Sequence, residues 1–219
     1  MFNTVRTLDV PRSLLERRRY DEDDVYEALK IIFFSKCYLC ETKEPQDVNV
    51  EHFDAHMGDL DKKFDWNNLY LVCSRCNNIK GSAYNDLIDC CNEQEDVFRA
   101  IKHLPPVSPY AGSVPIMAMR DEPKVVRTHE LLDKIFNSEH TVNKKVSGSF
   151  LRNKVFDQYN LLLDQMNCYF SPVATDLDKD NAIERIKVLL RRGSPYSAFI
   201  RWCVLEDGHL GPLLSDVMD

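Results

Sequence analysis

Apolar positions recur along this chain with two different periods. Val25, Leu29, Ile32 and Phe33 follow at helical spacing behind Asp21, Glu22, Asp23 and Asp24, acids that suit a helix N-terminus. Leu14 and Leu15 lead into the basic run Arg17-Arg18-Arg19 and Tyr20. The pattern then shortens. Val48-Asn49-Val50 and Leu69-Tyr70-Leu71-Val72 predict two strands, separated by a polar loop from His56 to Asn67 that contains Gly58. SRCNNIKGS predicts one or two helical turns ending at Gly81. Helical spacing returns over 83–104 (Leu87, Ile88, Val97, Ile101), until Pro105, Pro106 and Pro109 break it. Residues 114–119 predict a strand. Thr128 reads as the N-cap of a helical stretch to 166, carrying Leu131, Leu132, Ile135 and Phe136 and then Leu151, Val155, Tyr159, Leu162 and Met166. Ile183, Ile186, Leu189 and Leu190 line a further helix that stops at Gly193. Ser194-Pro195 reads as cap and first residue of the last one. The predicted class is α+β, mostly α. A small mixed module at 37–82 lies between a helical segment, 1–36, and a helical region, 83–219.

Composition narrows this little. The 219 residues are 44% hydrophobic and 29% charged, an ordinary globular balance. The clean apolar runs, such as Ile31 to Phe34, are far short of the ~20 residues a membrane span needs. MFNTVRTLDVPRS has no apolar leader, so the eight cysteines read as reduced thiols of a cytoplasmic protein. The net charge of −7 argues against a protein that grips nucleic acid by bulk charge.

The cysteines change the picture. Cys37-x-x-Cys40 and Cys73-x-x-Cys76 are matched pairs, and two such pairs make a closed tetrahedral site for structural Zn²⁺. Buried thiols or a redox pair are the alternatives, and each leaves the second pair unexplained. Residues 41–72 must fold inside the clamp. They carry Glu51-His52 and Asn68, and Asn77 and Lys80 follow the second pair. Strand, loop, strand and helix pinned by one ion would bring Glu51-His52 beside Asn77. A carboxylate and an amide oxygen are hard ligands suited to Mg²⁺ or Mn²⁺, and an adjacent imidazole can take a proton from an attacking water. Taken singly, Glu51-His52 is a solvated pair and Asn77 a helix cap.

Cys37, Cys40, Glu51, His52, Asn68, Leu69, Cys73, Cys76, Asn77 and Lys80 together resemble the HNH, or ββα-metal, endonucleases. The resemblance implies a zinc-clamped ββα-metal module embedded in the helical body. It implies His52 as general base, Glu51 and Asn77 as holders of the catalytic metal, Asn68 as brace of the loop presenting His52, and Lys80 as a further catalytic residue. CYLCE, EHF, DWNNLYLVCSRCNNIKG, THELLDKIFNSEHT, LRNKV and SPYSAFIRW are similar to a narrower group, the PtuB nuclease subunits of Septu antiviral defence, also found with retrons. That group often has Pro and then Lys after EHF. Ala55 and His56 stand there here, so His56 could replace the lysine as a phosphate contact, add a metal ligand, or do neither. His103, His129, His140 and His209 have no motif context.

The resemblance implies metal-assisted hydrolysis of DNA phosphodiesters, leaving 5′-phosphate and 3′-hydroxyl ends. It also implies a partner, a PtuA-like ATPase. The charge agrees with borrowed grip: residues 37–82 hold five basic residues (Lys43, Lys62, Lys63, Arg75, Lys80) against eight acids. Positive charge gathers instead at Arg17–Arg19 and at Arg185, Lys187, Arg191 and Arg192, each of which alone is a solvated helix face. Two rival readings stand beside this one. The substrate could be RNA, including tRNA, or the chain could be a zinc-stabilised binding module with a degenerate site.

Overall fold

Helices dominate the described residues, and the strands among them come in two antiparallel pairs. The computed structural model describes residues 1–139 and 146–218. In order, the elements are α1 (Arg12–Leu15), α2 (Asp23–Ile32), β1 (Val48–His52), α3 (Leu60–Lys63), β2 (Leu69–Cys73), α4 (Ser74–Lys80), α5 (Val97–Ala100), β3 (Ile101–His103) and β4 (Ile116–Ala118). Then come α6 (Pro123–Asn137), α7 (Gly148–Tyr169), α8 (Asp176–Leu190), α9 (Ser197–Glu206) and α10 (Leu210–Leu213). The β1–β2 hairpin pairs Val48 with Cys73 and His52 with Leu69, and α4 continues directly from β2. All five residues of β2 are buried, because α2 and α4 both pack on the hairpin. The β3–β4 pair carries α6 and α9. Among the described residues no helix is long and apolar enough to cross a membrane.

Three stretches depart from the sequence pattern, each for a local reason. Residues 83–96 form no regular helix. There Asp89 accepts from Cys91 N, Asn92 from Gln94 N and Asp96 from Arg99 N, so short polar side chains satisfy backbone donors that a helix would use. Thr128 is not a cap. The helix starts five residues earlier at Pro123, and Thr128 Oγ1 donates to Lys124 O and accepts from Ile88 N. The last long helix is not opened by Ser194-Pro195. It follows Tyr196, which is left-handed at φ 53° and donates its backbone N–H to Glu41 O.

One apolar core runs through all three sequence segments, from Met1 and Phe2 through Leu29, Tyr38, Tyr70 and Leu132 to Phe199. A second cluster joins α7 to α10 around Leu162, Ile186, Ile200 and Leu210. Within the first core lies a buried ionic knot. Glu41 sits 3.2 Å from the Met1 ammonium and 3.0 Å from Lys36 Nζ, and it accepts from Ser197 Oγ and Ala198 N at the start of α9. Burial pushes its carboxyl up, but Lys36 and the Met1 amine outweigh that and hold it well below the usual range. Glu41→Gln would leave two buried cations without their counter-charge. It is expected to cost about 3–5 kcal/mol in urea unfolding at pH 7, at unchanged metal content. A wild-type midpoint would remove the knot from the account of stability.

Candidate functional site

The first CxxC pair lies in a tight knuckle. Lys36 and Lys43 bridge, Cys37 N donates to Thr42 O, and Glu41 at φ 60° donates its N–H to Cys37 O. Tyr38 N docks the knuckle on Leu71 O of β2. The second pair straddles the junction of β2 with α4, Cys73 as the residue before the helix and Cys76 in its first turn. All four cysteines are buried, and their sulfur atoms lie within 4.8 Å of one another. Cys40 Sγ and Cys73 Sγ are 3.8 Å apart. A tetrahedron with ~2.3 Å metal–sulfur bonds has edges of about 3.8 Å, so the set could hold a metal such as zinc. Thr42 Oγ1 touches Cys40 Sγ at 3.1 Å and Tyr196 Oη at 3.0 Å, tying the cluster to the base of α9.

Glu51 and His52 end β1, within the strand rather than after it, so they project to opposite faces. Glu51 turns inward toward α4. Its Oε2 lies 3.5 Å from Lys80 Nζ, and its Oε1 is buried without a hydrogen-bond partner. Burial raises its pKa, and Lys80 offsets part of the rise. Lys80 is itself buried, and it donates to His52 O at 2.9 Å. The resemblance groups it with the catalytic residues. Here its ammonium is enclosed between the Glu51 carboxylate and the carbonyl that ends β1. Asn77 lies one turn before Lys80 on α4, half-buried, with no side-chain hydrogen bond among the described residues. It does not act as a cap.

His52 is half-buried on the other face. Its Nε2 is 3.0 Å from Lys63 O. A carbonyl can only accept, so Nε2 carries the proton and Nδ1 keeps its lone pair. Burial lowers the pKa of the ring, and His56, Lys63 and Lys80 lower it further, against the pull of that hydrogen bond. The ring lies 4.6 Å from Tyr20, edge-on, and 4.6 Å from His56. His56 Nδ1 accepts from Gly58 N in a tight turn where Met57 and Gly58 both take positive φ. Glu51, His52 and His56 do not gather as a ligand cluster. Among the described residues only the four cysteines, and Asp89 with Cys90 and Cys91, bring three or more such ligand atoms together.

Asn68 closes the loop between His52 and β2. Its Oδ1 accepts from Asp54 N, and its Nδ2 donates to Asp54 O and Lys62 O, so one buried amide ties both ends of that loop. The tie includes Lys62, next to the carbonyl that fixes His52.

Tyr20 is the site residue the sequence pattern misses. It is preceded by the arginines, and Arg17 pairs with Asp61 of α3 at 2.6 Å, so the N-terminal segment lies against the His52 loop. Arg18 and Arg19 are exposed and pair with Glu16 and Asp21. Only a basic-aromatic run marks this segment in the sequence. The remaining described histidines serve the scaffold, and His103 joins the buried knot through its Nε2, 3.2 Å from the Met1 ammonium. His103 Nδ1 donates to Ile101 O, His129 Nε2 donates to Ile116 O, and His209 meets Tyr169 Oη. His140 lies outside the described residues. Comparison with protein-family models and with curated proteins finds no match for the chain.

Proposed function

We propose that the chain is a metal-dependent HNH-type endonuclease, with Zn²⁺ in the four-cysteine cluster as a structural clamp. The observation that carries this reading is the hold on His52: its Nε2 lies 3.0 Å from Lys63 O, and a proton placed there leaves Nδ1 to act as the base. The residue types around Glu51 fit a hard cation. One of its oxygens is engaged by Lys80 and the other is buried outside ordinary hydrogen-bond geometry, with the Tyr38 hydroxyl acting on the carboxyl and the Asn77 amide on the adjoining helix face. Glu51 and Asn77 would hold Mg²⁺ or Mn²⁺, which supplies stabilisation of the charge that develops on the phosphoryl group and the leaving oxygen. His52 Nδ1 takes the proton of a water that attacks phosphorus. The P–O3′ bond breaks as O3′ takes a proton from solvent water, leaving a 5′-phosphate and a 3′-hydroxyl. Asn68 and Lys80 keep His52 and Glu51 in place.

The similarity to the Septu nuclease subunits, together with the acid excess around the site, supports a subunit that borrows its grip from a PtuA-like ATPase, with DNA as substrate. The same chemistry cleaves RNA, as a retron-associated effector of tRNA would. The experiment is therefore digestion of duplex DNA and of tRNA side by side, by the chain purified alone and together with a PtuA-like ATPase. Chelator-reversible cleavage with Mg²⁺, faster in the assembly, is expected. No cleavage of either substrate in any metal would leave a zinc-stabilised binding module.

A further inference from the structure

Arg201, on α9, is only 2% exposed. Its Nε has no hydrogen-bond partner, and among the described residues its guanidinium has no carboxylate within ion-pair distance. Among the described residues, the contact found for its charge is the face of the Phe98 ring, 4.5 Å away. The two acids near enough to act on it are both committed elsewhere. Glu41 serves Lys36 and the Met1 ammonium, and Asp96 serves Arg99 and the first turn of α5. Burial pulls its pKa down to about 10, with Arg192 adding to the effect, so it stays charged at neutral pH. Arg192, the last of the basic cluster that runs from α8 just past its end, lines the same cavity of about 380 Å³, as do Arg99 and Thr4. Of the cavity's other acids, Glu95 accepts from Asp89 N and faces Lys124, and Glu93 is exposed.

A buried cation without a counter-charge is expensive, and proteins keep such groups where a ligand completes them. A guanidinium offers planar, paired donors that match an oxyanion, and two of them suit a phosphate better than a single carboxylate. The cavity is larger than a bare phosphate and within the range of small-ligand pockets. We propose that this cavity binds the phosphate group of a phosphate ester, with Arg201 and Arg192 as its donors. The site is separate from the His52 centre and independent of the nuclease reading.

The test is thermal unfolding of the full chain in inorganic phosphate against sodium chloride of equal ionic strength. Phosphate near a hundredfold excess over its Kd is expected to raise the wild-type midpoint by about 5 °C. Arg201→Met is expected to lose that shift and, freed of an unpaired buried charge, to melt no lower than wild type without phosphate. Arg192→Met, a half-buried position, provides the same reading should Arg201→Met fold poorly. A wild-type midpoint equal in the two salts, or a shift that survives both substitutions, overturns the proposal. A nucleoside monophosphate and a short single-stranded oligonucleotide then separate a free phosphate ester from a nucleic-acid backbone as the source.

Discussion

Cys73→Ser is expected to cost the protein its fold, not merely a rate. Structural zinc contributes about 10–16 kcal/mol in small zinc-finger peptides, as much as the whole stability of an ordinary domain. The geometry here makes the dependence direct. Cys73 is the last residue of β2, every residue of that strand is buried, and the knuckle that faces it is docked on Leu71 O. Removing one ligand leaves three buried thiols crowded together and frees the knuckle that carries Glu41. Glu41 in turn neutralises Lys36 and holds the start of α9. The variant should show loss of metal, a collapsed melting transition and exposed apolar surface. Excess chelator should drive the wild type the same way. A protein purified without metal, or a Cys73→Ser variant that melts like wild type, would end the clamp interpretation.

The second large effect is on chemistry alone. His52→Ala should lower phosphodiester cleavage by about 10²–10⁴-fold, the usual worth of a positioned general base. It should leave the melting midpoint nearly unchanged, because the side chain is half-buried at a loop junction. The pH dependence has a definite sign. The folded pKa of His52 is depressed below the ordinary ~6.5, and the base must be neutral, so the acid limb of the rate profile should fall below that value. Stability carries the same sign. The unfolded chain binds the proton more readily, so the folded state loses ground as pH drops below about 6.5. His103, fully buried with its pKa well below the ordinary value, adds to that loss. An acid limb centred above 7, or full activity in His52→Ala, would remove His52 from the mechanism.

Legibility in the sequence followed distance along the chain. The CxxC pairs were readable because two ligands three residues apart constrain each other locally, and the two pairs do converge. The β-hairpin was readable from its apolar runs. The placement of Glu51 and His52 on opposite faces was implicit in their adjacency, but extending the strand to His52 required the pairing with Leu69. Lys80 was identified by motif and its burial was not, since only tertiary packing distinguishes an enclosed ammonium from a presented one. Thr128 shows the opposite failure. Its type is right for a cap, and its hydroxyl serves Ile88 from within the helix. Tyr20 and Arg201 were beyond reach, because their roles depend on neighbours 32 and 103 positions away, His52 and Phe98.

The buried strand β2 has a bearing on inheritance. Its neighbours include α2 from the leading segment, and the knuckle above it is sewn through Thr42 and Glu41 to the base of α9. Residues 37–82 therefore lack the walls of their own interior. Grafted onto another protein, they would arrive with Tyr38, Tyr70 and Leu71 uncovered. The four-cysteine hairpin can recur on another scaffold only where the host grows new walls around it. In this chain the helical body is that housing, and the two must be passed on together.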